Sequence, residues 1–185
     1  MRTFIAIDLE KELKKNLSLL ITRLEKGQKN IKWVEWKGMH LTIKFLGEIS
    51  EEKVGEVEDI LKKISGMYKP FPLKLKGTGT FPPEKKNPRV IWVGVEEEKT
   101  LLSLQDQLER ELEKIGFPRE KRKFHPHLTL GRVKFPSGLQ ETLQELEKHQ
   151  DSNFGEMIVR KMTFFESTLK PSGAEYTVIS EFGFQ

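Results

Sequence analysis

His40-Leu41-Thr42-Ile43 and His127-Leu128-Thr129-Leu130 are near-copies of one tetrapeptide, set close to half of the 185-residue chain apart. Both lie in stretches that read as β-strands, where successive side chains point to opposite faces. Each His therefore shares a face with its Thr, and the Leu and Ile, or the two Leu, share the other. The apolar face packs and the His-Thr face looks out. A single His-x-Thr is an ordinary polar strand face. Repeated in a chain with only four histidines, it points to two strands from two lobes that present paired imidazoles and paired hydroxyls to one cleft. Imidazole has an unperturbed pKa of about 6.5, so near neutral pH one copy can hold a proton while the other takes one.

Working outward, residues 2–8 read as a strand with Ile5 and Ile7 on one face and Phe4 and Ala6 on the other. Asp8 is placed to cap a helix from about 9 to 26, where Leu13, Leu17, Leu20, Ile21 and Leu24 form one stripe and Gly27 stops it. Residues 32–36 and 40–46 read as short strands. Ser50 then caps a second helix carrying Val54, Val57, Leu61 and Ile64 and ending at Gly66. Five prolines between Pro70 and Pro88 predict one strand near 73–76, then an exposed loop and a lobe junction. Residues 89–95 are strand-like, a third helix follows through Leu101, Leu104, Leu108, Leu112 and Ile115, and a strand over 124–133 follows the basic loop Lys121-Arg122-Lys123. Leu139, Leu143 and Leu146 mark a fourth helix. A final hairpin of 157–169 and 175–184 turns at Pro171-Ser172-Gly173. Interleaved helices and strands with short strand connections make the class α+β with mainly antiparallel sheet.

Composition narrows the chemistry. At 21.6 kDa the chain suits one globular domain or two small lobes and needs no covalent staples. With 36% apolar residues and a net charge of only +4 from 32 basic and 28 acidic side chains, it is not of the disordered class. Its apolar runs are too short to span a membrane, and the start at Met1 has no secretory pattern, so a cytoplasmic protein is expected. The absence of cysteine excludes disulfides, thiolate zinc sites, iron-sulfur clusters and a cysteine nucleophile. A pI near 9.1 is compatible with a polyanionic ligand but sets no steering field by itself.

Several separated blocks resemble one family, the two-histidine phosphoesterases, and within it the branch of 2'-5' RNA ligases and RNA 2',3'-cyclic phosphodiesterases. These blocks are Arg2-Thr3-Phe4-Ile5-Ala6-Ile7, the signature from His40 to Gly47, Gly77-Thr78-Gly79-Thr80-Phe81 with Pro88 to Trp92, and the signature from Phe124 to Arg132. The resemblance covers essentially the full length. It implies a single bilobal domain over 1–185 with a pseudo-twofold axis, two mainly antiparallel sheets flanked by helices, and a central cleft. It also implies a reaction without metal or cofactor on an RNA or nucleotide ending in a 2',3'-cyclic phosphate, opened to a 2'-phosphate, with related 2'-5' joining chemistry. In that assignment His40 donates a proton to the departing 3'-oxygen and His127 accepts one from the attacking water, though the near-identity of the halves leaves the exchange of these roles open. Thr42 and Thr129 would bond the non-bridging phosphate oxygens.

Further residues qualify for contact with substrate. Arg132 is the natural cation for the transition state, but its odd offset from His127 brings it to the His-Thr face only if the strand ends or bulges. Lys44 keeps even spacing with His40 and Thr42, which puts it beside the phosphate or in solvent. His125 lies at the cleft rim if the strand extends past Pro126. Phe4 and Trp92 are candidate stacking platforms for a base; packing under a helix is the other reading of each. The basic loop at 121–123 is a candidate for backbone phosphates, and His149 reads as plain surface. Two alternatives stay open: a module that binds phosphate without turnover, and a zinc site of His40, His125 and His127, which lacks any nearby carboxylate or cysteine ligand.

Overall fold

The computed structural model of the chain describes residues 1–84 and 86–185. The alternating stretches become strands β1 (Arg2–Asp8), β2 (Ile31–Trp33), β3 (His40–Glu48), β4 (Phe71–Phe81), β5 (Val90–Val95), β6 (His127–Val133), β7 (Asn153–Val159), β8 (Lys161–Lys170) and β9 (Gly173–Gly183). The striped stretches become helices α1 (Lys11–Leu24), α2 (Glu51–Ser65), α3 (Lys99–Glu113) and α4 (Gln140–Glu147). The strands form two antiparallel sheets, in the orders β3-β1-β8-β9 and β2-β6-β5-β4-β7, so the α+β class and the two-sheet architecture hold. Each sheet carries one of the repeated motifs, on β3 and on β6.

Helix stripes meet one face of the sheets. Leu13, Leu17 and Leu24 of α1, Leu61 and Ile64 of α2, and Leu101, Leu104 and Leu108 of α3 are buried in one continuous core with Ile5 and Ile7 of β1. Burial of each such side chain is worth about 1.5–3 kcal/mol. Phe4, Ala6 and Phe165 make a separate small cluster from the alternate residues of β1 and β8. No helix among the described residues is long and apolar enough to cross a membrane.

Local chemistry sets the ends of α2 but not the start of α1. The Ser50 side chain accepts from the Lys53 N–H and Gly66 closes α2 as expected. Asp8 caps nothing: α1 starts at Lys11, two residues too late for it to reach the first turn, and its carboxylate pairs instead with Lys14 Nζ at 2.9 Å.

Two strand expectations change. The proline-rich region is mostly strand, since β4 runs unbroken from Phe71 to Phe81. Pro72 is tolerated because it pairs only with Ile158 of β7 at a level where β5 has not begun to pair. The stretch 157–169 is two strands rather than one: β7 ends at Val159 in the second sheet and β8 begins at Lys161 in the first. Only Arg160 separates them, so no turn residue marks the crossing. The β8–β9 hairpin at Pro171-Ser172 forms as read.

The motif strands are both edges where it matters. β3 is the outermost strand of its sheet, and β2 covers only Gly131 to Val133 of β6, which leaves the His127 end uncovered. These two strands contact each other across the sheets.

Candidate active site

The geometry of the site rests on one irregularity repeated in both halves. Ala6 pairs with Thr42 and Ile5 with Lys44, so Ile43 has no partner opposite; Trp92 pairs with Thr129 and Ile91 with Gly131, which skips Leu130. Each motif strand thus bulges three residues after its histidine, and a bulge shifts the alternation of faces by one. Ile43 and Lys44 are both buried, as are Leu130 and Gly131, and the next residue returns to the His-Thr side. In β6 that residue is Arg132; in β3 it is Phe45, which is 69% exposed.

The same shift moves Lys44 off the His-Thr face that even spacing predicts, although the residue still borders the cavity. Its side chain turns inward and is 7% exposed, and its ammonium donates to Glu109 Oε2 at 2.9 Å and to the Pro118 carbonyl at 2.8 Å. Its charge is committed to a carboxylate on α3 rather than offered to a ligand.

His40, Thr42, His127, Thr129, Arg132 and His125 all line one cavity of about 1470 Å³, and Phe4 and Lys44 also border it. Within it the two histidines have different surroundings. The His40 ring stacks on Phe4 at 4.8 Å and on Phe165 at 5.5 Å, and meets Tyr176 edge-on at 4.9 Å. A hydrogen bond to the backbone of Gly38 fixes the ring. Gly38 also makes room for Tyr176, since a Cβ there would lie 3.1 Å from the tyrosine ring. Burial in this aromatic enclosure pushes the His40 pKa down to about 4, against the opposing pull of the Gly38 bond and Asp8, with Lys14 adding to the fall. His40 is neutral at pH 7 in the free protein.

His127 is held by the equivalent backbone contact, with Nδ1 2.7 Å from the His125 carbonyl. A carbonyl only accepts, so Nδ1 carries the proton and Nε2 is left for a ligand. Its ring meets Phe81 edge-on at 4.9 Å.

The stacking candidates do not survive as free platforms. Phe4 borders the cavity but is 3% exposed, its ring packed in a mutual cluster with His40 and Phe165. Trp92 lies off the cavity wall, with its indole packed on Phe81 at 5.3 Å and over Gly79, where a Cβ would collide with it. His125 precedes the strand, which starts at His127, and serves the site through its carbonyl. His149 is not plain surface: its ring lies partly buried between Glu145 at 3.4 Å and Ser152 at 3.3 Å. Arg122 and Lys123 of the basic loop do reach the cavity wall. Among the described residues no three His, Asp or Glu side chains gather as a metal would require, so the three-imidazole zinc set is not assembled.

Phe45, Phe81, Phe165, Tyr176, Arg2 and Arg89 also face this region. Phe81 stands in a quoted block, but no local pattern singles out Tyr176. It arrives through the register of β8 on β1 and β9 on β8, where it sits opposite Ser167.

A family model described as LigT like phosphoesterase matches the chain twice, over residues 7–92 and 93–176, so the duplication read from two tetrapeptides extends over both halves. An RNA 2',3'-cyclic phosphodiesterase of Thermotoga maritima is 40% identical over 188 residues, covering 100% of this chain and 96% of that protein. A crystal structure from Thermus thermophilus superposes with a TM-score of 0.86 at 30% identity, over 100% of this chain and 98% of that one. Escherichia coli LigT, solved with 3'-AMP, shares the fold at a TM-score of 0.79 and 24% identity, over 99% and 97% of the two chains. Because the family pattern recurs in each half and a relative spans the whole chain, the chain belongs to the LigT-like phosphoesterase family.

Proposed function

We propose that the chain is an RNA 2',3'-cyclic phosphodiesterase, acting as one bilobal domain in the cytoplasm, that opens a terminal cyclic phosphate to a 2'-phosphomonoester. The observation that carries this reading is the pair of matching bulged edge strands, which turn two imidazoles, two threonine hydroxyls and Arg132 toward one cavity. Full-length relatives named for this activity support it.

In the proposed step His127 Nε2 takes a proton from water as the water oxygen attacks phosphorus. The bond from phosphorus to the 3'-oxygen breaks, and His40 supplies the proton that makes the leaving oxygen a hydroxyl. Thr42 and Thr129 donate to the non-bridging oxygens and Arg132 balances the charge that builds on them. Each proton transfer contributes about 10² to 10⁴ in rate. His40 is neutral in the free cleft, so its proton arrives with the substrate: an anion beside the imidazole favours the charged form. With a 5'-hydroxyl in place of water, the same step yields a 2'-5' linkage.

The test is hydrolysis of a 2',3'-cyclic nucleotide in excess EDTA, with the product followed by ³¹P NMR. Expected are a 2'-phosphate, turnover that survives the chelator, a bell-shaped pH dependence, and loss of turnover in both His40→Ala and His127→Ala. Loss of activity to the chelator contradicts the mechanism, as does a flat profile between about pH 5 and 9. A protein that binds the nucleotide without turning it over would be the phosphate-binding module instead.

A further inference from the structure

The cavity is larger than the reacting ring requires. Sites for ligands of nucleotide size occupy about 300–1,000 Å³, and this one holds about 1470 Å³. Its wall is selectively basic. Of the eight arginines in the chain, Arg2, Arg89, Arg122 and Arg132 line it, and the carboxylates there among the described residues are Glu109 and Glu120. Glu109 is already neutralised by Lys44. Arginine is the side chain suited to phosphate, because its planar fork bonds two oxygens at once.

The loop that carries Arg122 and Lys123 is tied down at its root. The Pro118 carbonyl accepts from Lys44 Nζ at 2.8 Å, the Glu120 N–H donates to Glu109 Oε2 at 3.0 Å, and Arg119 Nη2 donates to Asp106 Oδ1 at 3.1 Å. Gln105 Nε2 donates to the other Glu109 oxygen at 3.3 Å. At the centre is an ion pair whose side chains are only 7% and 6% exposed. Such pairs add little stability over apolar replacements of similar volume, so the consequence of this one is geometric: it joins β3, α3 and the loop at fixed positions. Beyond the root, Arg122 and Lys123 are exposed, face the cavity and pair with no carboxylate among the described residues.

We propose that the segment from Pro118 to Phe124 is a subsite for the internucleotide phosphate next to the reacting end, held by Arg122 and Lys123, with Lys44 and Glu109 as positioning residues for the loop. The preferred substrate is then an oligonucleotide of at least two residues rather than a cyclic mononucleotide. This inference rests on the phosphodiesterase reading above and adds to it the length of chain engaged and the residues that sense it.

The experiment compares a cyclic-ended trinucleotide with the matching 2',3'-cyclic mononucleotide on the full chain. The native protein is expected to prefer the trinucleotide in kcat/KM, and that preference is expected to shrink as salt rises. R122A and K123A are each expected to reduce the preference about tenfold. A K44M–E109L double variant, which leaves no unpaired buried charge, is expected to raise KM for the trinucleotide more than for the mononucleotide. General damage to the fold would instead lower kcat on both alike. Equal kcat/KM for the two substrates, or a preference unmoved by R122A, would overturn this inference and leave the phosphodiesterase reading standing. Hydrolysis of neither substrate would overturn both.

Discussion

His40 and His127 occupy the same position on two strands with the same bulge, yet among the described residues the first packs against the rings of Phe4, Phe165 and Tyr176 while the second has a single ring neighbour, Phe81. The registers show where the halves diverge. Phe4 stands opposite both Phe45 and Phe165, and its counterpart Val90 stands opposite Arg132 and Phe81. One lobe thus fills its half of the cleft with rings where the other places a guanidinium. One residue earlier the difference reverses: Lys44 occupies the buried bulge position on β3, where β6 has Gly131 packed against Ile31 and Trp33. Duplicated backbone supplied the symmetry, and side chains a few positions away broke it, which is how two copies of one imidazole come to differ in their surroundings.

Removing either imidazole is the strongest way to probe that division. His40→Ala and His127→Ala are each expected to lower kcat by about 10² to 10⁴, with the double variant little worse than the poorer single one because both act in one step. Rates on a cyclic mononucleotide measure this, and a variant of either residue with native turnover would break the pairing. Next in size is the inward lysine, which has no equivalent in the other half. Lys44→Ala leaves Glu109 buried without its partner and is expected to cost about 3–5 kcal/mol in urea unfolding; a change below about 1 kcal/mol would mean that Glu109 is not held as a buried charge.

The aromatic enclosure of His40 predicts a pH-dependent stability. The unfolded chain's imidazole titrates near 6.5 and the folded one near 4, so between these values the unfolded state binds more protons. Stability from this group is complete above pH 6.5, falls as the pH drops to 4 and is flat below, a change on the order of 3 kcal/mol at most. His40→Asn is expected to remove that part of the slope, while His127→Asn serves as the comparison from the other half. Identical pH dependence of unfolding for the native protein and His40→Asn would show that the enclosure does not distinguish the two rings. The smallest effect is expected at the residue after the bulge. Replacing Arg132 by its counterpart in the other half, as R132F, is expected to lower kcat/KM about tenfold, the loss of one charge-assisted contact, and R132K to restore only part of it.

How much was readable before folding varied with the range of the interactions involved. The helical stripes of α1, α2 and α3, the Ser50 cap and the repeated His-x-Thr frames are local patterns, and they stand in the fold where they were read. The length of β4 was hidden because its prolines look the same in a loop as at the level of a strand paired on one side. The break at Arg160 was hidden because a chain passing from one sheet to another needs no turn residue. Regular strand alternation puts Lys44 on the His-Thr face and Arg132 on the other, and the bulges at Ile43 and Leu130 exchange those faces. Tyr176 lies far along the chain from His40 and meets it only through two strand pairings and the missing side chain of Gly38.

By itself the sequence determined the α+β class, the duplication and the identity of the two imidazoles, because periodicity and short motifs act over a few residues and survive any arrangement of the chain around them. Tertiary structure alone decided that Arg132 follows the bulge onto the His-Thr side, that Lys44 is buried against α3, and that aromatic rings enclose His40. Those outcomes depend on strand register and on desolvation by residues distant in sequence, neither of which has a local signature.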